Sequence, residues 1–154
     1  MKKIISLFSL TVICSLFTVH CFAAAKAKKK TPVPAPTAFA IVGYIVDGDT
    51  FSAKVLLKDD IEISVRVRFL DIDAPELAGE CDSEIIAANA SRDRLAELIP
   101  VGSMVTLSRI KDDKYLGRID AAVTNDKGMD VGPIMISEGH ARPYSGGKRN
   151  PWCE

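Results

Sequence analysis

The sequence has 154 residues, enough for one domain with a hydrophobic core, and its 47% of hydrophobic residues is typical of a globular protein. The whole chain is neutral, but residues 1–37 contain six of the 20 basic residues and none of the 20 acidic ones, so residues 38–154 have 14 basic against 20 acidic residues, a net charge of −6. Net charge alone therefore does not attract this domain to nucleic acid, and such binding would require locally clustered arginines or a bound metal ion.

The first residues predict a signal peptide over residues 1–24. A basic start, Met1-Lys2-Lys3, precedes an apolar run over residues 4–19, and small residues follow at positions 23–25. An uncleaved membrane anchor is the alternative, but the run is short for a spanning helix and is interrupted by serines and Thr18. A lipoprotein anchor on Cys21 is disfavoured by the large His20 before it. We expect an exported protein, periplasmic or secreted, with no stable membrane association after cleavage.

Residues 25–37 predict a linker before a domain over residues 38–154. Four lysines are followed by alternating prolines, which favour an extended chain without internal hydrogen bonds. The lysines could bind an anionic surface, but such a run is more often a solvated linker.

The most informative stretch is residues 46–76, which opens with Asp47-Gly48-Asp49-Thr50 and closes with Asp71-Ile72-Asp73-Ala74-Pro75-Glu76. Strands are predicted over residues 38–46, 51–57 and 61–70, the last two joined by a turn at residues 58–60, because apolar and polar residues alternate in the third strand. Such a hairpin can bring carboxylates together beside arginines. Clustered carboxylates bind hard cations and arginines bind phosphate, a combination that indicates a metal-assisted phosphodiesterase. Either motif alone could be a structural turn.

The remaining pattern predicts an α+β fold. A long helix runs from a cap at Asp82 or Ser83 to about Ile99, with Ile85 facing inward and Glu84 facing solvent. Strands over residues 104–110 and 117–124 follow, and a short helix covers residues 131–138.

These motifs together resemble the staphylococcal nuclease (thermonuclease-like) family. Its signature is Asp-Gly-Asp-Thr, an arginine on a strand, Asp-(Thr/Ala)-Pro-Glu and then Asp-Lys-Tyr-Gly-Arg; here the last part reads Asp113-Lys114-Tyr115-Leu116-Gly117-Arg118. The extra Leu116 either bulges from the loop or changes the position of Tyr115 relative to Arg118. The resemblance implies a five-stranded OB-like β-barrel with a long helix after the third strand and a short helix near the C-terminus.

The resemblance also implies the residues of an active site. Asp49, Asp73 and the backbone carbonyl of Ala74 are expected to bind one Ca²⁺. Arg68 and Arg118 are expected to bind the phosphate, and Glu76 to orient or deprotonate the attacking water. Substrate contacts are expected from three further residues, Lys114, Tyr115 and Tyr144.

The implied function is a calcium-dependent nuclease that hydrolyses single-stranded or frayed DNA and RNA to 3′-phosphate products, acting as a monomer. The alternative is a catalytically silent OB-like module that binds nucleic acid or protein. Such homologues usually lose an acid or an arginine from the site, and this sequence retains them all. His140 is the sole histidine outside the predicted signal peptide, which excludes a histidine-based zinc site or catalytic triad.

The cysteines predict one disulfide. Cys14 and Cys21 lie in the predicted signal peptide, which leaves Cys81 and Cys153 as a pair in the exported protein. Such a bond would hold the glycine-rich C-terminal tail, with Tyr144 and Arg142, beside the loop that follows Glu76 and close to the site.

Overall fold

The computed structural model describes residues 37–57, 59 and 61–153. The predicted signal peptide and all of the predicted linker except Thr37 lie outside the described residues, as do Lys58 and Asp60 of the predicted turn.

The described chain forms a closed five-stranded barrel, two helices and a small two-stranded sheet. In chain order the elements are β1 (Ala38–Ile45), β2 (Thr50–Leu56), β3 (Glu62–Phe69), β4 (Ile72–Asp73), α1 (Asp82–Leu98), β5 (Met104–Asp112), β6 (Arg118–Thr124), α2 (Val131–Ser137) and β7 (Arg142–Pro143). The barrel order is β1-β2-β3-β6-β5, and β5 pairs with β1 to close it. The α+β fold, the five-stranded barrel and the positions of both helices are therefore confirmed, with strand bounds that differ by one or two residues from the prediction.

The barrel encloses an apolar core because its strands alternate between inward apolar and outward polar residues. Phe51 and Phe69 lie fully buried with their ring centroids 5.8 Å apart. Leu95 of α1 and Met135 of α2 are also fully buried against this core. Antiparallel pairing of β2 with β3 places Thr50 opposite Arg68, whereas β3 pairs in parallel with β6.

The prediction for the start and polar face of α1 was wrong in two respects. The N-cap is Cys81, and neither Asp82 nor Ser83 caps the helix. Glu84, predicted to face solvent, is only 7% exposed, whereas Ile85 is the more exposed of the two. The reason is tertiary: the Glu84 carboxylate accepts hydrogen bonds from the backbone N–H groups of Glu76, at 3.3 Å, and Glu80, at 2.9 Å. A buried carboxylate is retained where it satisfies such donors.

No helix in the described part of the chain is long and apolar enough to cross a membrane.

Removal of the Glu84 carboxylate should destabilise the fold. In Glu84→Ala two backbone N–H groups lose their acceptor, so we expect the free energy of unfolding to fall by about 1–3 kcal/mol in urea titrations. The control is Glu97→Ala on the same helix, whose exposed ion pair with Arg94 should contribute less than about 1 kcal/mol. Equal effects of the two substitutions would contradict the structural role of Glu84.

Candidate active site

A cleft of about 680 Å³ opens beside the barrel at the ends of β3 and β6. Six of the residues predicted for the site line it: Arg68, Glu76, Lys114, Tyr115, Arg118 and Tyr144. They come from strands, loops and the C-terminal tail that are distant in sequence. The fold thus brings the predicted arginines, the predicted acid and the predicted substrate contacts into one cavity.

Asp49 connects the two acidic motifs to β3. Its Oδ2 lies 3.0 Å from Nη2 of Arg68 and also accepts a hydrogen bond from the backbone N–H of Ala74 at 3.3 Å. The Thr50 hydroxyl donates to the other oxygen, Oδ1, at 2.9 Å. Asp49 and Arg68 are largely buried, so this ion pair fixes the guanidinium direction more firmly than an exposed pair would. The described contact of Ala74 uses its amide, whereas the predicted ligand was its carbonyl.

Asp73 is contacted by two arginines of the C-terminal tail. Its side chain is only 1% exposed, and Nε and Nη2 of Arg142 donate to Oδ2 at 3.1 and 3.0 Å. Trp152 Nε1 lies 3.3 Å from the same oxygen, and Arg142 stacks over the Trp152 ring. On the other side, Arg149 Nε lies 2.9 Å from Oδ1 as an ion pair, although Oδ1 accepts no hydrogen bond of good geometry from any described group.

Arg149 also contacts Glu76, so its guanidinium bridges two predicted site residues. Unlike Asp73, both Arg149 and Glu76 are substantially exposed to solvent. This contact is therefore accessible to competing ions or substrate groups, and it lies at the edge of the cleft.

The carboxylates of this region retain excess negative charge. Burial, together with the charges of Asp49 and Glu76, raises the pKa of Asp47 to about 6. Asp73 meanwhile has a buried oxygen without a well-oriented hydrogen bond. Neighbouring carboxylates, one of them with a buried oxygen that lacks a well-oriented donor, fit a hard divalent cation. The residues present therefore suit such an ion, provided that Arg149 yields its place at Asp73 Oδ1.

Arg118 is oriented by two neighbours in the loop before β6. Its Nε donates to Asp113 Oδ2 at 2.7 Å, and its guanidinium carbon lies 4.5 Å from the centre of the Tyr115 ring. Burial alone would raise the pKa of Asp113, but the hydrogen bond from Arg118 and its charge lower it overall. Leu116 is fully exposed, so the extra residue bulges outward and leaves Tyr115 against Arg118.

A disulfide between Cys81 and Cys153 holds the tail at the start of α1, which confirms the predicted pairing. Tyr144 lies on this tail, and its ring centre is 5.7 Å from the Arg68 guanidinium carbon. Its backbone N–H donates to the Asp71 carbonyl at 2.9 Å. The tail is thus part of the cleft wall, as the sequence predicted.

The sequence interpretation missed four residues of this site: Asp47, Asp113, Asp120 and Arg149. Asp120 lines the cleft, and burial together with Asp113 raises its pKa. Two of the four, Asp47 and Asp113, stand in motifs that were recognised, so their presence was visible but their contacts were not. Arg142 was expected near the site with the tail, but no local signal paired either Arg142 or Arg149 with Asp73, because only the fold of the tail brings them there.

Comparison with known proteins identifies one family. Residues 66–151 match the family described as staphylococcal nuclease homologue, which spans more than half of the chain and includes Arg68, Asp73, Glu76 and Arg118. No curated protein matches the chain significantly.

Reduction of the disulfide should release the tail. In the chain-entropy account, a loop of 72 residues makes the bond worth roughly 4 kcal/mol, so reductant should lower the free energy of unfolding by up to that amount. Limited proteolysis should then cut the tail near Lys148. The control is the Cys81→Ser/Cys153→Ser variant, whose unfolding curve should not respond to reductant. Identical curves for the wild-type protein with and without reductant would contradict this role.

Proposed function

Because the chain belongs to the staphylococcal nuclease family, we propose that it is a nuclease that hydrolyses phosphodiester bonds in single-stranded or frayed DNA and RNA. The observation that carries the proposal is the convergence of Arg68, Glu76 and Arg118 on one cleft beside the buried carboxylates of Asp49 and Asp73. Arginines and carboxylates in one solvent-accessible cavity suit an anionic substrate that reacts with water.

Arg68 and Arg118 would bind and stabilise the phosphate. Each is held by a carboxylate through one edge, Arg68 by Asp49 and Arg118 by Asp113, which leaves its other N–H groups available for phosphate oxygens. Since these side chains are already oriented, little reorganisation is needed when negative charge develops on the phosphate.

Glu76 would orient or deprotonate the attacking water. Its carboxylate is exposed at the cleft and its present contact is Arg149. Binding of a phosphate near Arg149 would draw this guanidinium away and leave the carboxylate for water.

We further propose Ca²⁺ as the cofactor, held by Asp49, Asp73 and the carbonyl of Ala74. The bound ion would polarise a phosphate oxygen and offset negative charge at the reacting centre. The raised pKa of Asp47, caused by burial and by the nearby charges of Asp49 and Glu76, and the unsatisfied oxygen of Asp73 support this assignment.

The resemblance to the family further supports endo- and exonucleolytic cleavage at the 5′ phosphoester bond, with 3′-phosphate products. We propose a monomer that is exported to the periplasm or secreted, with residues 1–24 as its signal peptide. The disulfide supports an oxidising compartment, since such bonds are rare in the reducing cytosol.

The purified protein should cleave single-stranded DNA and RNA with Ca²⁺ and lose this activity with chelator. Arg68→Lys keeps the charge but loses the planar fork, so kcat should fall by roughly 100-fold or more. The matched control is Arg92→Lys, on the exposed face of α1, which should retain normal turnover. A protein that binds oligonucleotides but cleaves none under any metal condition would support the binding-module alternative. Normal turnover of Arg68→Lys would remove Arg68 from the mechanism.

Calcium should raise the temperature of unfolding because it relieves repulsion between the site carboxylates. Arg149 contacts Asp73 and Glu76 and therefore competes with the ion, so Arg149→Gln should lower the Ca²⁺ concentration for half-maximal stabilisation by about tenfold. Lys148→Gln is the control, since it removes an equal charge next to Arg149, and Lys148 forms no described bond with either carboxylate. Equal calcium responses of the two variants, or no response in the wild-type protein, would contradict the prediction.

A further inference from the structure

The cleft continues onto the outer face of the barrel. It shares Tyr115 and Arg118 with a second depression of about 310 Å³, which shares Arg66 and Gly117 with a third of about 350 Å³. We call the third depression the outer groove; its lining residues include Gly43, Tyr44, Ser52, Lys54, Ser64, Arg66 and Gly117. Because neighbouring depressions share lining residues, an extended ligand that leaves the cleft could continue along this surface.

The strand register aligns the chemical groups of this path in one row. The backbone N–H of Tyr44 donates to Ser52 Oγ at 3.1 Å, Ser52 pairs with Arg66 across β2 and β3, and Arg66 pairs with Arg118 across β3 and β6. The row therefore crosses the four neighbouring strands β1, β2, β3 and β6. At about 4.8 Å per strand spacing it extends over roughly 14 Å, which exceeds the space needed for one phosphate.

Arg66 is an exposed cation with no ion-pair partner in the described part of the chain. Its neighbours differ: Arg68 and Arg118 are both paired with aspartates, and Lys54 is paired with Glu62 at 3.4 Å. Arg66 thus offers its entire guanidinium to a ligand in a domain whose net charge is negative. The arginine fork matches phosphate oxygens.

Tyr44 supplies an aromatic surface at the far end of the row. It is 56% exposed, and no described residue forms a hydrogen bond with its hydroxyl group or stacks on its ring. Gly43, which precedes it, leaves room for the Ser52 side chain, since a Cβ at that position would come within 2.3 Å of Ser52 Oγ. An exposed ring and an unpaired arginine that line one groove are the combination that binds bases and phosphates of single strands.

We propose that the outer groove is a second binding site for the same substrate strand, where Arg66 binds a phosphate and Tyr44 stacks on a base outside the cleavage site. This inference rests on the proposed nuclease function. A polynucleotide is favoured over a separate phosphorylated ligand because the groove is continuous with the cleft, so one strand can occupy both.

The test measures binding of fluorescent oligo(dT) to the catalytically impaired Glu76→Gln protein. The long probe has about 12 nucleotides, within the range that a single-strand-binding OB fold covers, and the short probe is a dinucleotide that can fill only the cleft. Adding Tyr44→Ala or Arg66→Gln should weaken binding of the long probe by about tenfold and of the dinucleotide by less than twofold. Arg66→Gln should also reduce the slope of log affinity against log salt by about 0.7, the value for one phosphate contact in a single strand.

Two controls match the variants. Phe39→Ala removes an equally exposed ring from the same strand but outside the groove, and Lys127→Ala removes an exposed cation in a distant turn. Both should bind the long probe normally. If Tyr44→Ala does not fold, as judged by circular dichroism, the exposed substitution Arg66→Gln provides the test.

The outcomes separate the two proposals. If the wild-type protein cleaves DNA but Tyr44→Ala and Arg66→Gln bind the long probe like their controls, the outer groove is not a substrate site and the nuclease function stands. If the wild-type protein neither cleaves nor binds any oligonucleotide, the proposed function itself is wrong. Equal weakening of long and short probes would also overturn the inference, because it would place both residues in the cleft.

Discussion

Burial of two carboxylates at the mouth of the barrel is the constraint on which the rest of the site depends. Asp49 and Asp73 are both almost inaccessible to solvent, and a buried charge is costly unless it is paired. Asp49 is neutralised by Arg68 from β3, whereas Asp73 is neutralised by Arg142 and Arg149 from the end of the chain. These ion pairs therefore connect the barrel, the segment that contains Asp73 and the C-terminal tail.

These ion pairs also explain how a domain with more acidic than basic residues can present a surface suited to an anion. Asp49 and Asp113 each pair with one edge of an arginine, so the cleft exposes the unpaired edges of Arg68 and Arg118. Net charge describes long-range attraction, whereas the contacts that hold a phosphate act over a few ångströms. The local arrangement of the arginines therefore matters more for phosphate binding than the domain's net charge of −6.

The register of the strands determines which face of the barrel each arginine occupies. Alternation along β3 puts Val67 and Phe69 in the core and Arg66 and Arg68 on the outer face, and parallel pairing with β6 puts Arg118 beside Arg66. A shift of one residue would bury the arginines and expose the core residues, so the hydrophobic core itself fixes the row that leads from the cleft to the outer groove.

The sequence by itself determined the elements and much of the site's composition. Alternation predicted β3, the motifs indicated Asp49, Arg68, Asp73 and Glu76 as neighbours, and cysteine number predicted the disulfide. Periodicity reports which face a residue occupies but not what lies opposite it, which is why Glu84 was placed in solvent although it accepts two backbone hydrogen bonds. Only the tertiary structure decided the counter-charges of Asp73, because Arg142 and Arg149 reach it from some 70 residues away through a tail without regular helical structure in its described part.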